Sequence, residues 1–80
     1  MSEAFVLVST EVGAETDALE EIMKLEQVQE ASVVYGVYDI VTRIRAKSSE
    51  DLKEVITKKI RVTTGVKNTL TMIVSERQTR

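Results

Sequence analysis

The 80-residue chain contains no cysteine, histidine, proline or tryptophan, and only three glycines. Each absence closes a class of chemistry. Without cysteine there is no disulfide scaffold, no thiolate metal site and no sulfur nucleophile. Without histidine the commonest general base and the commonest metal ligand are missing. No catalytic residue, metal site or cofactor is therefore expected. No apolar run approaches the roughly 18–20 residues that span a bilayer, and Met1-Ser2-Glu3 lacks the basic start of a signal peptide. A cytoplasmic location without membrane contact is the expectation. The net charge of −2, with both signs interspersed, argues against a nucleic-acid-binding surface.

What remains is globular: 42% hydrophobic and 30% charged residues in a length that makes one domain, residues 1–80. A chain this short buries only about 60–65% of its unfolded surface, so association would add needed burial.

Ala4 to Thr10 is short, apolar and β-branched, and reads as a strand. Gly13-Ala14 breaks it. Thr16 or Asp17 is a candidate helix cap, with Glu15, Asp17, Glu20 and Glu21 near the positive end, and Leu19, Ile22, Met23 and Leu25 form an apolar stripe. Val28 to Tyr35 and Asp39 to Ala46 read as two further strands. Ser48 caps a second helix, with Asp51 three residues on, and Leu52, Val55, Ile56 and Ile60 mark its buried face. After Thr63-Thr64-Gly65 a fourth strand runs from Val66 to Ser75, and Glu76 to Arg80 is a polar tail expected to fray. The order βαββαβ predicts an α+β, ferredoxin-like fold: a four-stranded antiparallel sheet with both helices on one face.

The strands carry apolar residues on both faces. Phe5 and Leu7 alternate with Ala4, Val6 and Val8; Leu70, Met72 and Val74 alternate with Ile73; Ile40 and Ile44 oppose Val41. A sheet with one wet face shows a clean polar set, and this one does not. The helices cover one face only, so the simplest cover for the other is a second copy of the chain. Each Val-sized side chain removed from water contributes roughly 1.5–2 kcal/mol. A homodimer with face-to-face sheets is expected.

Polar chemistry concentrates in the turn Tyr35-Gly36-Val37-Tyr38-Asp39. Both tyrosines of the chain sit there beside a carboxylate. Read locally, this is a hairpin in which Gly36 supplies a positive φ and Asp39 ends the turn. Read functionally, it is a binding tip. The basic cluster Lys58-Lys59-Ile60-Arg61 lacks an aromatic partner and reads poorly as a nucleic-acid patch.

Gly36-Val37-Tyr38-Asp39-Ile40-Val41 resembles the Gly-x-Tyr-Asp hairpin of the Lrp/AsnC effector-binding (RAM) domain. Gly65-Val66, followed by Thr69-Leu70-Thr71-Met72-Ile73-Val74, is similar to that family's Gly-Val before a Thr-x-Thr strand. Thr64 stands where the family often has proline. Family regulators carry a helix-turn-helix domain before this module, whereas Met1 precedes the first strand by three residues, so the chain reads as a stand-alone RAM domain that does not bind DNA directly. The resemblance implies dimers that assemble into rings of octameric or decameric type, and a free amino acid bound in the cleft between dimers. The matching ligand-binding positions are Tyr35, Gly36, Tyr38, Asp39, Thr69 and Thr71. It also makes full-length Lrp/AsnC regulators candidate partners.

The chemistry of these positions suits an amino acid. Asp39 would take the ammonium in a charge-assisted hydrogen bond. Backbone N–H groups around Gly36 would admit a carboxylate. Thr69 and Thr71 point to one side of their strand, and Tyr35 and Tyr38 would wall the site. Two other readings stand beside this one: a purely structural oligomer with a vestigial site, and a small dimeric α+β-barrel enzyme. The enzyme reading is disfavoured by the missing histidine and by apolar positions already used in core and interface.

Overall fold

The computed structural model describes all 80 residues. The elements are β1 (Ser2–Thr10), α1 (Glu15–Met23), β2 (Val28–Val33), β3 (Ile40–Ala46), α2 (Ser49–Val55, continued by a wider π turn over Ile56–Ile60) and β4 (Val66–Ile73). The strands form one antiparallel sheet in the order β2-β3-β1-β4. This is the expected βαββαβ, ferredoxin-like arrangement.

Alternation builds the core. Ala4, Val6 and Val8 of β1 are buried, as are their β3 partners Ile44, Thr42 and Ile40. Ala18 and Ile22 of α1 and Leu52, Val55, Ile56 and Ile60 of α2 close over them. Burial of this one contiguous set is the main stabilising term. Thr42 is the polar member, and its hydroxyl donates to the Val6 carbonyl at 3.0 Å, so no buried donor is left unpaired there.

The other face of the sheet lies open. Cross-strand partners share a face, and the register pairs Phe5 with Met72, Leu7 with Leu70, and Leu7 with Val41. Leu70 and Met72 keep 45% and 46% of their surface exposed. At one end of this face the Glu3 carboxylate, 12% exposed, gathers Arg43, Arg45 and Arg77.

Several local expectations are corrected. Neither Thr16 nor Asp17 caps α1. Gly13 turns the chain at φ +82° and the helix starts directly after Ala14, whose side chain has no cap to offer. Ala18, not Met23, joins Ile22 on the buried face; four residues separate Ala18 from Ile22, whereas Met23 rotates off that stripe. Gly36 does not take a positive φ, because the β2–β3 connection is an open loop rather than a two-residue turn. The strands end at Val33 and Ile73, two residues earlier than expected. The tail is anchored at one point by the ion pair of Arg77 with Glu3. The Ser48 cap is as expected, with Oγ accepting from the Asp51 N–H at 3.1 Å.

Candidate ligand site

The β2–β3 loop is held by its ends. The Val34 N–H donates to the Asp39 carbonyl at 2.8 Å, and the Asp39 N–H donates to the Val8 carbonyl at 2.9 Å. Asp39 is thereby locked beside the end of β1. Its Oδ2 accepts from both the Thr10 N–H, at 2.8 Å, and the Thr10 hydroxyl, at 3.2 Å. Thr10 is largely buried, so the carboxylate satisfies two donors that have little access to water. Oδ1 takes no part in these bonds. From this anchor the loop projects outward: Tyr35, Gly36 and Val37 are exposed and Tyr38 is half-buried. A Cβ added at Gly36 would meet nothing closer than 4.0 Å, so nothing within this chain requires glycine there.

Beneath the loop lies a hollow of about 250 Å³, lined by Thr10, Glu11, Gly13, Glu15, Tyr35 and Asp39 among others. It holds three carboxylates and no cation. On the other side of β1, Thr69 and Thr71 pair with Val8 and Val6 at the sheet edge. Thr69 Oγ1 accepts from Arg61 Nε at 3.4 Å, and with Arg61, Val66, Lys67 and Asn68 it lines a second hollow of about 220 Å³. A wider groove of about 690 Å³ lies at the far end of the sheet, where Arg45, Lys47, Lys59, Glu26, Asp51 and Glu54 balance in charge. It shares no residue with the loop.

One chain thus brings Tyr35 and Asp39 together and sets Thr69 in a neighbouring hollow. Gly36, Tyr38 and Thr71 line neither. Sequence reasoning missed Thr10, Glu11, Gly13 and Glu15, because Glu11 to Glu15 read only as a break and a charged helix start. Their place beside Asp39 follows from β1 lying next to β3, a relation between residues 29 apart.

A family model of the Lrp/AsnC ligand binding domain matches residues 3–80. The chain belongs to the Lrp/AsnC family. It is 35% identical over 71 residues to the HTH-type transcriptional regulator FL11 of Pyrococcus abyssi, covering 89% of this chain and 46% of that protein. The chain spans about half the length of the curated HTH-type regulators it matches. A Sulfolobus acidocaldarius homocitrate synthase is also similar, at 37% over 59 residues, covering 74% of this chain and 12% of the enzyme. Among solved structures, the protein TTHA0845 from Thermus thermophilus superposes with a TM-score of 0.92 at 35% identity, each chain covered in full. At 23% identity, the fold alone is shared with a feast or famine regulatory protein from M. tuberculosis complexed with L-methionine, with a TM-score of 0.85 over all of this chain and 54% of that one. No helix of the structure is long and apolar enough to cross a membrane.

Proposed function

We propose that this Lrp/AsnC chain is an amino-acid-binding and oligomerisation module of the cytoplasm, with Tyr35, Gly36, Tyr38, Asp39, Thr69 and Thr71 as its ligand-binding set. The observation that carries the reading is the divided carboxylate of Asp39: Oδ2 is fixed by Thr10, and Oδ1 stands ready for an ammonium. The fixed oxygen orients the free one, so a charged hydrogen bond forms without further ordering of the side chain. The exposed loop around Gly36 supplies close backbone approach.

The open sheet face supports the assembly. Phe5, Leu7, Val41, Leu70 and Met72 form an apolar surface that a second copy covers through a two-fold axis. The loop and the hollows lie away from that face's centre and are left for contacts between dimers, where residues of neighbouring dimers complete a set of which one chain places only Tyr35, Asp39 and Thr69 in hollows. A regulator carrying the same module presents the same apolar face, which makes mixed assembly with full-length family members the natural route to transcriptional control. The similarity to homocitrate synthase covers a small part of that enzyme and fits an effector module attached to other chemistry; the chain itself is no enzyme in this reading.

A second reading has one observation in its favour. The Asp39–Thr10 bonds alone account for a carboxylate at this position, which suits a structural oligomer with no working ligand. Thermal denaturation with each of the twenty amino acids separates the two. A cognate amino acid at about 100 times its dissociation constant should stabilise the fold by roughly 2.7 kcal/mol, a rise on the order of 10 °C for a domain of this size. Asp39→Asn keeps an oxygen for Thr10 and removes the charge, so it should lose the response and keep the fold. If no amino acid shifts the melt, the structural reading replaces this one.

A further inference from the structure

β4 is the least covered strand of the sheet. The helices pack on β1, β2 and β3, and β4 stands at the end of the order β2-β3-β1-β4. Leu70 and Met72 share the open face with Leu7 and Phe5. Ile73 lies opposite the buried Ala4, on the helix side, and still keeps 48% of its surface. A second copy laid on the open face therefore covers Leu70 and Met72 and leaves Ile73 bare. The outer edge of β4 is unpaired as well. The Val74 N–H donates to the Glu3 carbonyl at 2.9 Å, and backbone groups alternate in direction along a strand. Those of Leu70 and Met72 thus point to β1, and those of Thr69, Thr71 and Ile73 point outward. Such a row is a template for another strand, which monomers blunt with bulges, charges or short edges. β2, at the other edge, is six residues long, is irregular between Val28 and Glu30, and carries the Glu30 carboxylate. β4 is eight residues long, has Lys67 as its one charge, and pairs regularly with β1 from Asn68 to Ile73.

We infer that the β4 edge is a second contact between copies of this chain, in which two β4 strands pair antiparallel about a two-fold axis at Thr71. The inference rests on the face-to-face dimer proposed above and adds the contact that joins one dimer to the next. The strand's own residues favour a second copy over a foreign peptide. With Thr71 opposite its own equivalent, Thr69 falls opposite Ile73 of the second copy, and the outward N–H groups of Thr69, Thr71 and Ile73 each meet an outward carbonyl. Leu70 falls opposite Met72 on the open side, which extends the apolar surface across the join. Lys67 falls opposite Ser75, so no like charges meet. A two-fold axis makes the pairing antiparallel without further adjustment, and a chain with two different two-fold contacts assembles beyond a dimer.

The test compares Ile73→Pro with Ile73→Ala by sedimentation, with circular dichroism to monitor the fold. Proline removes an outward N–H and none of the bonds to β1, a position where an edge strand accepts it, whereas alanine keeps the donor. Ile73→Pro should weaken the association of dimers at least about tenfold more than Ile73→Ala, since the axis removes the bond twice. A cysteine placed at the axis gives a second measurement that does not depend on the proline variant folding. The chain has no cysteine of its own, and bonded cross-strand pairs bring Cα atoms to about 5.5 Å, within disulfide reach. Under mild oxidation Thr71→Cys should link two chains at least about tenfold faster than Val62→Cys, which is exposed beyond the end of α2. If Thr71→Cys links no faster than Val62→Cys, or Ile73→Pro assembles like Ile73→Ala, the edge pairing is overturned and the face-to-face dimer stands. A parent chain that never exceeds two copies and is split by Leu70→Glu overturns it too. Rapid linking of Thr71→Cys in a two-copy parent that Leu70→Glu leaves intact would uphold the edge pairing and remove the face-to-face dimer.

Discussion

Substituting Leu70 tests the assembly most directly. Leu70 pairs with Leu7 at the middle of the open face and retains 45% of its surface in a single copy. Burying a whole leucine side chain stabilises by about 1.5–3 kcal/mol, so covering the remaining part contributes about 1 kcal/mol per copy. A two-fold interface uses the residue twice, and Leu70→Ala should therefore weaken the dimer by about 2 kcal/mol, a rise in Kd of about 30-fold. Leu70→Glu goes further, because each copy would bring an unpaired carboxylate against the apolar face of its partner at a cost of several kcal/mol per charge. The assay is sedimentation equilibrium across nanomolar to millimolar protein, with far-UV circular dichroism to monitor the fold. Val62→Ala is the control: Val62 is 69% exposed beyond the end of α2, away from the open face, and its removal should leave Kd unchanged. If Leu70→Glu sediments like the parent chain, the open face is not the interface. If the parent chain is a 9.0 kDa monomer at every concentration, the dimer itself is refuted.

The remaining predictions concern the loop, the glycines and the ion cluster. Asp39→Ala should destabilise the fold by about 1–3 kcal/mol in urea denaturation, because it strands the buried Thr10 donors, while Asp39→Asn should cost far less; equal losses would mean that the carboxylate does not serve Thr10. Gly65→Ala should also cost about 1–3 kcal/mol, since Gly65 sits at φ +93° with an added Cβ only 2.9 Å from Ala14 Cβ. Gly36→Ala has room and no positive φ, so it should leave stability level or raise it by about 0.4–1 kcal/mol while blunting any amino-acid response; a Gly36→Ala chain that melts early would point to a structural need for that glycine. Glu3→Gln should lower stability by about 1–3 kcal/mol by leaving Arg43, Arg45 and Arg77 without their common partner, and the loss should shrink as salt screens the arginines from one another; a salt-independent loss would assign the effect to packing.

The order of elements was legible along the chain because it depends on local periodicity. Alternation over Ala4 to Val8, the stripe Leu52, Val55, Ile56 and Ile60, and the Ser48 cap each involve residues within a few positions of one another, and such patterns decide strand or helix before any tertiary contact forms. The surplus of apolar residues on both strand faces was visible for the same reason, and it pointed to an uncovered sheet. The Gly-x-Tyr-Asp and Gly-Val…Thr-x-Thr segments were enough to suggest the family. Tertiary structure decided what these pieces do together. The helix start at Glu15 and the exposure of Met23 depend on how α1 meets the sheet, and the open geometry at Gly36 depends on how β2 and β3 are joined. The bonds between Asp39 and Thr10 exist only because β1 is laid between β3 and β4. That same placement sets three carboxylates on one side of the strand end and Arg61 with Lys67 on the other. Local sequence sets the direction of each backbone segment, but charges 20 to 60 residues apart come to flank one strand end only when the sheet order brings them there, and the proposed site draws on such residues.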